Sequence, residues 1–257
     1  MSWFYVERGN GRPLVLLHGI GMSHAAWAPV LNKLAGHRRV IAFDIAGFGQ
    51  TPALPSPLTA EALVDGLRQS LIDLGIHEPV DIVGNSMGGW LALEAAKAGL
   101  ARSVVGISPA GLGNHSDVPL HIRATFTSMR SAAKYAPSIS KTLLTNPLVR
   151  ALAMSIPVSI RSFRMPSFVA QQALQDFANA PGFDDTLEII KPVYGIETLE
   201  IPVTVAFGRL DWILVGDQQK GDRLPAQTKR LKPWGWGHVP MWDDPAGVAK
   251  IILEGTA

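Results

Sequence analysis

Residues 80–89 read VDIVGNSMGG, and the helix-favouring WLALEAAKA follows from Trp90. A buried apolar run that passes into a helix through one serine fenced by glycines predicts a tight strand-to-helix turn. Such a turn drives its central residue, Ser86, towards positive φ and leaves no room for a Cβ two positions to either side. Gly84 and Gly88 meet that demand for space. The same geometry lifts the serine side chain clear of the backbone at the N-terminus of the next helix. Free N–H groups and the helix dipole favour negative charge there, which suits a nucleophile whose attack creates an oxyanion.

Outward from this stretch, further apolar and mostly β-branched runs recur: LVLLHG from Leu14, VIAFD from Val40, SVVGIS from Ser103 and VTVAFG from Val203. Continuous rather than alternating apolar character predicts strands buried on both faces, hence a parallel sheet with helices on each side. A last strand is expected near Thr228–Pro233. Helical patterns lie between the runs. One opens at Thr59, a good N-cap residue, and ends at Gly75; another runs from Met87 to Lys97 and ends at Gly99. Strands alternating with helices predict a doubly wound α/β fold.

The alternation stops between Leu112 and Ile196, where TSMRSAAKYA, LVRALAM and FVAQQALQDFA read as short helices broken by prolines. A helical insertion into the α/β core is expected there. From Leu112 to Pro181 it carries seven basic residues (Arg123, Arg130, Lys134, Lys141, Arg150, Arg161, Arg164) against Asp117 and Asp176, a net +5. A solvated outer face explains this skew more simply than an electrostatic funnel for anions.

The bulk numbers bound the rest. A chain of 257 residues with 47% hydrophobic composition can bury a large core. With 23 basic and 21 acidic residues the net charge is +2, and no basic tract is interleaved with aromatics, so nucleic-acid binding is not expected. The absence of cysteine removes disulfides, thiolate metal sites and a cysteine nucleophile. No HExxH or clustered-carboxylate pattern predicts a metal. MSWFYVERGN lacks the features of a signal peptide, and no apolar run approaches about 18 residues, so a cytoplasmic protein without membrane insertion is the expectation.

A serine hydroxyl needs a base. Of seven histidines, His24, His37, His77, His115 and His121 read as surface or locally satisfied, and His18 belongs to a strand end. His238 lies in GWGHVP, a glycine-rich loop after the last expected strand, and is the candidate base. Its acidic partner should follow a strand at the edge where ligands bind. Asp211, after VTVAFGRL, fits; Asp117 is the rival. Asp217 and Asp222 read as helix-surface carboxylates, and Asp243 and Asp244 as the lead into the last helix. HGIG, His18–Gly21, ends the LVLLHG strand and can aim the backbone N–H of Ile20 into a cleft, with the N–H of Met87 as second oxyanion donor. GIGMSH lacks the third glycine and the acid of a dinucleotide fingerprint.

The order Ser86, Asp211, His238, with HGIG ahead of it, resembles the α/β-hydrolase superfamily across nearly the whole chain. DIAGFGQT, Asp44–Thr51, resembles that family's D-x-x-G-x-G-x-S stretch and reads as a structural turn. The resemblance implies a core formed by residues 1–111 and 197–257, a helical cap at 112–196, a small-molecule substrate and no cofactor. Similar proteins usually carry another strand before a segment like FYVERGNG, so the usual count of eight strands is in question. Relatives that open epoxides or remove halogens use aspartate at the elbow, where this chain has serine. A serine carboxylesterase acting on small to medium apolar acyl or aromatic esters is the expectation. The rivals are a carbon–carbon bond hydrolase of meta-cleavage dienoates, whose subfamily also carries GNSMGG, and a non-catalytic binding relative. That subfamily usually adds Gly-Pro-Gly to its oxyanion stretch, where this chain has Met22-Ser23-His24 after Gly21. Trp212 and Val239, next to the acid and the histidine, are candidate pocket residues.

Overall fold

The computed structural model describes residues 2–114, 120–135, 142–155 and 159–257. Seven strands form one sheet: β1 (Tyr5–Arg8), β2 (Pro13–Leu17), β3 (Arg39–Phe43), β4 (Val80–Asn85), β5 (Ala101–Ile107), β6 (Val203–Ala206) and β7 (Lys229–Leu231), in the order β1-β3-β2-β4-β5-β6-β7. Every apolar run read from the sequence is a strand, and all pairings from β3 to β7 are parallel. β1 is the exception: it pairs antiparallel with β3 at the edge. Its sequence, YVER, is half exposed and carries Glu7, which pairs with Arg39, so it lacks the apolar continuity that marks the others.

Within each strand, successive side chains enter opposite cores, as the strand's two-residue period requires. Val15, Leu17, Ile41, Phe43 and Ile82 point to one face, which α2 (Ala60–Asp73) and α3 (Met87–Lys97) cover. Leu14, Leu16, Val40, Ala42 and Val83 point to the other, beneath α1 (Ala28–Ala35) and the C-terminal helix, Pro245–Gly255. The Thr59 hydroxyl accepts the Ala62 N–H at 3.1 Å and caps α2.

The chain leaves the sheet after β5 and returns at β6. Between them lie α4 (Leu120–Tyr135), α5 (Pro147–Ser155), α6 (Ser167–Asn179) and α7 (Phe183–Ile189); the C-terminal helix is α8. Phe126, Phe177 and Phe183 pack ring against ring where α4, α6 and α7 meet, and Leu144, Met165 and Ala170 form a small separate cluster, while Leu120, Leu148, Leu152 and Phe168 stay exposed. No described helix is long and apolar enough to cross a membrane. Asp117, His115 and Lys141 lie outside the described residues.

The order reverses between β2 and β4, because the chain runs from β2 outward to β3 and then back across to β4. In open α/β sheets that switch point opens a crevice at the C-terminal strand ends. HGIG follows β2 and Ser86 follows β4, so the topology sets the two motifs side by side.

Candidate active site

Ser86 occupies the turn that its sequence predicts, at φ 53° and ψ −116°. A serine held there costs roughly 1–3 kcal/mol. Close packing around it over-determines the geometry. A Cβ on Gly84 would overlap the carbonyl oxygen of Gly88, and one on Gly88 would overlap that of Leu17. The Ser86 N–H donates to the Ile107 carbonyl at 3.0 Å, and its own carbonyl accepts from Gly89, Trp90 and Ala110. Met87 opens α3, whose first turn lacks N–H partners within the helix.

The HGIG turn packs directly on the serine: a Cβ on Gly19 would come within 3.4 Å of the Ser86 Cβ. His18 fixes this turn from behind. Its Nε2 accepts the Ile45 N–H at 3.0 Å, so its proton sits on Nδ1 and donates to the Gly19 carbonyl at 2.8 Å. Complete burial holds its pKa below the ordinary histidine value, and a neutral ring is what these two bonds require. Asp44 completes the support. Burial opposes its charge, but hydrogen bonds from His24 and from the Gln50 N–H outweigh that and hold its carboxyl below the usual range. Thr51 donates to the Asp44 carbonyl at 2.7 Å and accepts the Phe4 N–H at 2.8 Å, which places it inside the turn and away from the cavity.

His238 reaches the same place from the loop after β7. Its Nδ1 lies 3.0 Å from Asp211 Oδ2, and both side chains are buried. Asp211 also accepts the N–H groups of Ile213 and Leu214 at 2.9 and 3.1 Å. Burial again opposes the charge; His238 and these N–H groups prevail, and the carboxyl stays below the ordinary aspartate range. An ionised Asp211 only accepts, so the ring proton is on Nδ1. That leaves Nε2 an acceptor, and it is buried without a hydrogen-bond partner among the described residues.

Ser86, Asn85, Ile20 and His238 border one cavity of about 870 Å³. Its walls are largely apolar, with Phe126 and Met129 of α4, Val149 of α5, Phe168, Val169 and Leu174 of α6, and Val239 beside the histidine. Val239, a candidate pocket residue from the sequence, is thus on the cavity wall. Trp212 departs from expectation: it is 65% exposed and lines no part of the cavity. The Asp211 bonds to the N–H groups two and three residues on hold Ile213 and Leu214 in the buried turn, while Trp212 between them and Asp211 is exposed. The basic side chains of the insertion also lie elsewhere. Arg130 pairs with Asp184, Arg161 donates to the Asp243 carbonyl, Arg150 donates to the Leu144 carbonyl, and no described Lys or Arg lines this cavity.

Several residues of the site escaped the sequence reading. Asn85 donates from Nδ2 to both the Ile107 and the His238 carbonyls at 3.0 Å, tying the elbow to the histidine loop. Asp243 was expected ahead of the last helix. Asp244 is indeed the cap of α8, but Asp243 is fully buried and accepts from Ser159 Oγ at 2.5 Å and from the N–H groups of Arg161 and Gly237 at 2.8 Å. Ser108, buried at φ 45°, lies beside the Asp211 carboxyl. Asp176 of α6 accepts from Ser23 at 2.7 Å, and a Cβ on Gly21 would overlap the Phe177 ring. Asp217 sits on a short 3₁₀ turn, Gly216–Gln219, rather than on a helix surface, and it accepts the Asn114 N–H at 2.6 Å. No group of three or more His, Asp or Glu placed to hold a metal occurs among the described residues.

With this geometry in place, residues 14–251 match the model of the alpha/beta hydrolase family, and the chain belongs to that family of hydrolases. It is 30% identical over 204 residues to epoxide hydrolase EphH of Mycobacterium tuberculosis, covering 77% of this chain and 94% of that protein. It is 35% identical to the 2-hydroxy-6-oxo-6-(2'-aminophenyl)hexa-2,4-dienoic acid hydrolase of Metapseudomonas resinovorans, over 48% of this chain and 45% of that one. Among solved structures, the enol-lactonase of Burkholderia xenovorans LB400 superposes with a TM-score of 0.75 at 19% identity, covering 98% of this chain and 95% of the other. At that identity the likeness speaks for the fold alone.

Proposed function

We propose that this hydrolase is a serine carboxylesterase for small to medium apolar acyl or aromatic esters, with Ser86 as nucleophile, His238 as base and Asp211 as its orienting acid. The observation that carries the reading is the asymmetry of His238, a residue of the cavity that Ser86 also borders: Nδ1 is bound to Asp211, while Nε2 is buried and has no partner among the described residues. Nε2 takes the Ser86 proton as Oγ attacks the ester carbonyl. The backbone N–H groups of Ile20 and Met87 receive the oxyanion; each such donor is typically worth a hundredfold or more in rate. Nε2 then returns the proton to the leaving alcohol, and water repeats the sequence on the acyl-serine. The helices of residues 112–196 act as a cap that walls the cleft over a core of residues 1–111 and 197–257.

The serine also argues against the other reactions named among the relatives. Attack of a serine on an epoxide carbon yields an ether, which has no carbonyl for water to attack. A dienoate carries a carboxylate; no described cation lines the large cavity, and Lys191 borders only the smaller hollow beside Ser86. A panel of p-nitrophenyl esters beside a meta-cleavage dienoate tests the choice. Turnover of esters that is lost in Ser86→Ala supports it; faster turnover of the dienoate transfers the same three residues to carbon–carbon hydrolysis. Failure of a fluorophosphonate to label Ser86 would instead favour a binding protein without catalysis.

A further inference from the structure

Two hollows meet at Ser86. The cavity of about 870 Å³ includes His238. A second, of about 50 Å³, is bounded by Ile122, Leu187, Ile213 and Leu214, with Lys191 and Gln218 also on its wall, and does not include His238. They share Ile20, Ser86 and Phe126.

We propose that the large hollow takes the leaving alcohol and the small one the acyl group, so that the substrate class is a short-acyl ester of a large apolar alcohol. This rests on the reading of Ser86 and His238 as nucleophile and base.

The assignment follows from where the proton must go. The tetrahedral carbon on Ser86 Oγ carries the oxyanion, the acyl substituent and the leaving oxygen. Collapse breaks the bond to the leaving oxygen, whose electron pair must collect the proton that His238 took from the serine. The leaving oxygen therefore lies on the imidazole side, and its substituent extends into the hollow that contains the imidazole. The acyl substituent is directed to the opposite side. Once the alcohol has left, water enters the vacated space, gives its proton to Nε2 and attacks the acyl-serine; the proton then returns to Ser86 as the acid departs. The balance is ester plus water to acid plus alcohol.

Size completes the argument. A hollow of about 50 Å³ has room for about four water-sized groups, an acetyl to butyryl chain. The larger one is within the range of sites that enclose a whole drug-sized molecule, roughly 300–1,000 Å³. Its apolar walls reward each buried methylene by about 0.8 kcal/mol, roughly fourfold in affinity.

Two ester series on the purified enzyme test this. Among acetates of straight-chain alcohols, kcat/KM should climb up to about fourfold per methylene from ethyl to octyl. Among ethyl esters, kcat/KM should fall about tenfold or more once the acyl chain passes butyryl. A rise along the acyl series with a flat alcohol series reverses the assignment, and equal responses abolish it. Leu187→Ala should move the acyl limit up by about two carbons, and Met129→Trp should flatten the alcohol series; no change in either limit also counts against the proposal. Fluorophosphonate labelling separates this failure from the parent one. A labelled Ser86 with the wrong chain-length pattern sinks only the partition, whereas an unlabelled serine and no ester turnover sink the esterase reading itself.

Discussion

The two ends of β4 each hold a buried carboxylate nearby, and they are finished in opposite ways. At the N-terminal end, Asp81 is fully buried and is met by Arg12, Arg38, Arg102 and Ser103. Burial opposes its charge, yet these partners hold its carboxyl below the usual range. Every lone pair there has a donor. At the C-terminal end, Asp211 accepts from His238 and from two backbone N–H groups, but the chain of bonds stops at His238 Nε2, which like Asn85 Oδ1, next in sequence to the strained Ser86, has no partner among the described residues. Buried polar atoms without partners cost roughly 1–3 kcal/mol each. One end of the strand is thus closed by paired groups, while the other, the end at which the proposed chemistry lies, keeps buried polar atoms without partners among the described residues.

That contrast predicts which measurement each change moves. Ser86→Ala should lower kcat on p-nitrophenyl acetate by about a millionfold and abolish fluorophosphonate labelling, while leaving the melting temperature almost unchanged. Asp211→Asn should cost about 10⁴ in kcat, because an amide donor facing Nδ1 forces the proton to Nε2 and removes the acceptor Ser86 needs; unaltered kcat would remove Asp211 from the triad. Asp81→Asn should do the reverse. It leaves Arg38 buried with a weakened partner and should cost about 3 kcal/mol of unfolding free energy, read by urea denaturation, with kcat/KM of the folded enzyme unchanged.

Acid should act on stability in two stages. His18 has a folded pKa below its unfolded value of about 6.5. Its contribution is complete above that pH and is lost as pH falls towards the folded pKa, since only the unfolded chain binds the proton. Asp44, Asp81 and Asp211 also have lowered folded values. Their contribution is present above about pH 4 and is lost below it, as pH falls through the folded pKa values. Melting temperatures measured from pH 7 to pH 3 should show the first decline in the wild type and not in a folded His18→Gln variant. The smallest effect expected is for Trp212→Ala, under about twofold in kcat/KM, because the exposed indole faces solvent and surface changes away from a site are usually near neutral.

Legibility in the sequence followed the range of the interactions. The elbow could be read because Gly84, Ser86 and Gly88 constrain one another within a single turn. The parallel sheet could be read because each strand is buried on both faces. β1 was missed because an edge strand needs only one apolar face and here carries Glu7 and Arg8. The inward roles of Asp243, Asp176 and Phe177 depend on partners far away in sequence, Ser159, Ser23 and Gly21, and no local pattern marks them. Trp212 was placed by adjacency to Asp211, but a side chain's neighbour in sequence points elsewhere whenever the backbone turns to satisfy a carboxylate.

Asp243 acts as a rivet through two plates. One of its oxygens holds Ser159 and Arg161 at the edge of the helical layer, and the other holds Gly237, next in the chain to His238. Force applied to the layer at that edge reaches the imidazole through a single peptide unit. A displacement of the layer at that edge would therefore be passed to the loop that carries His238.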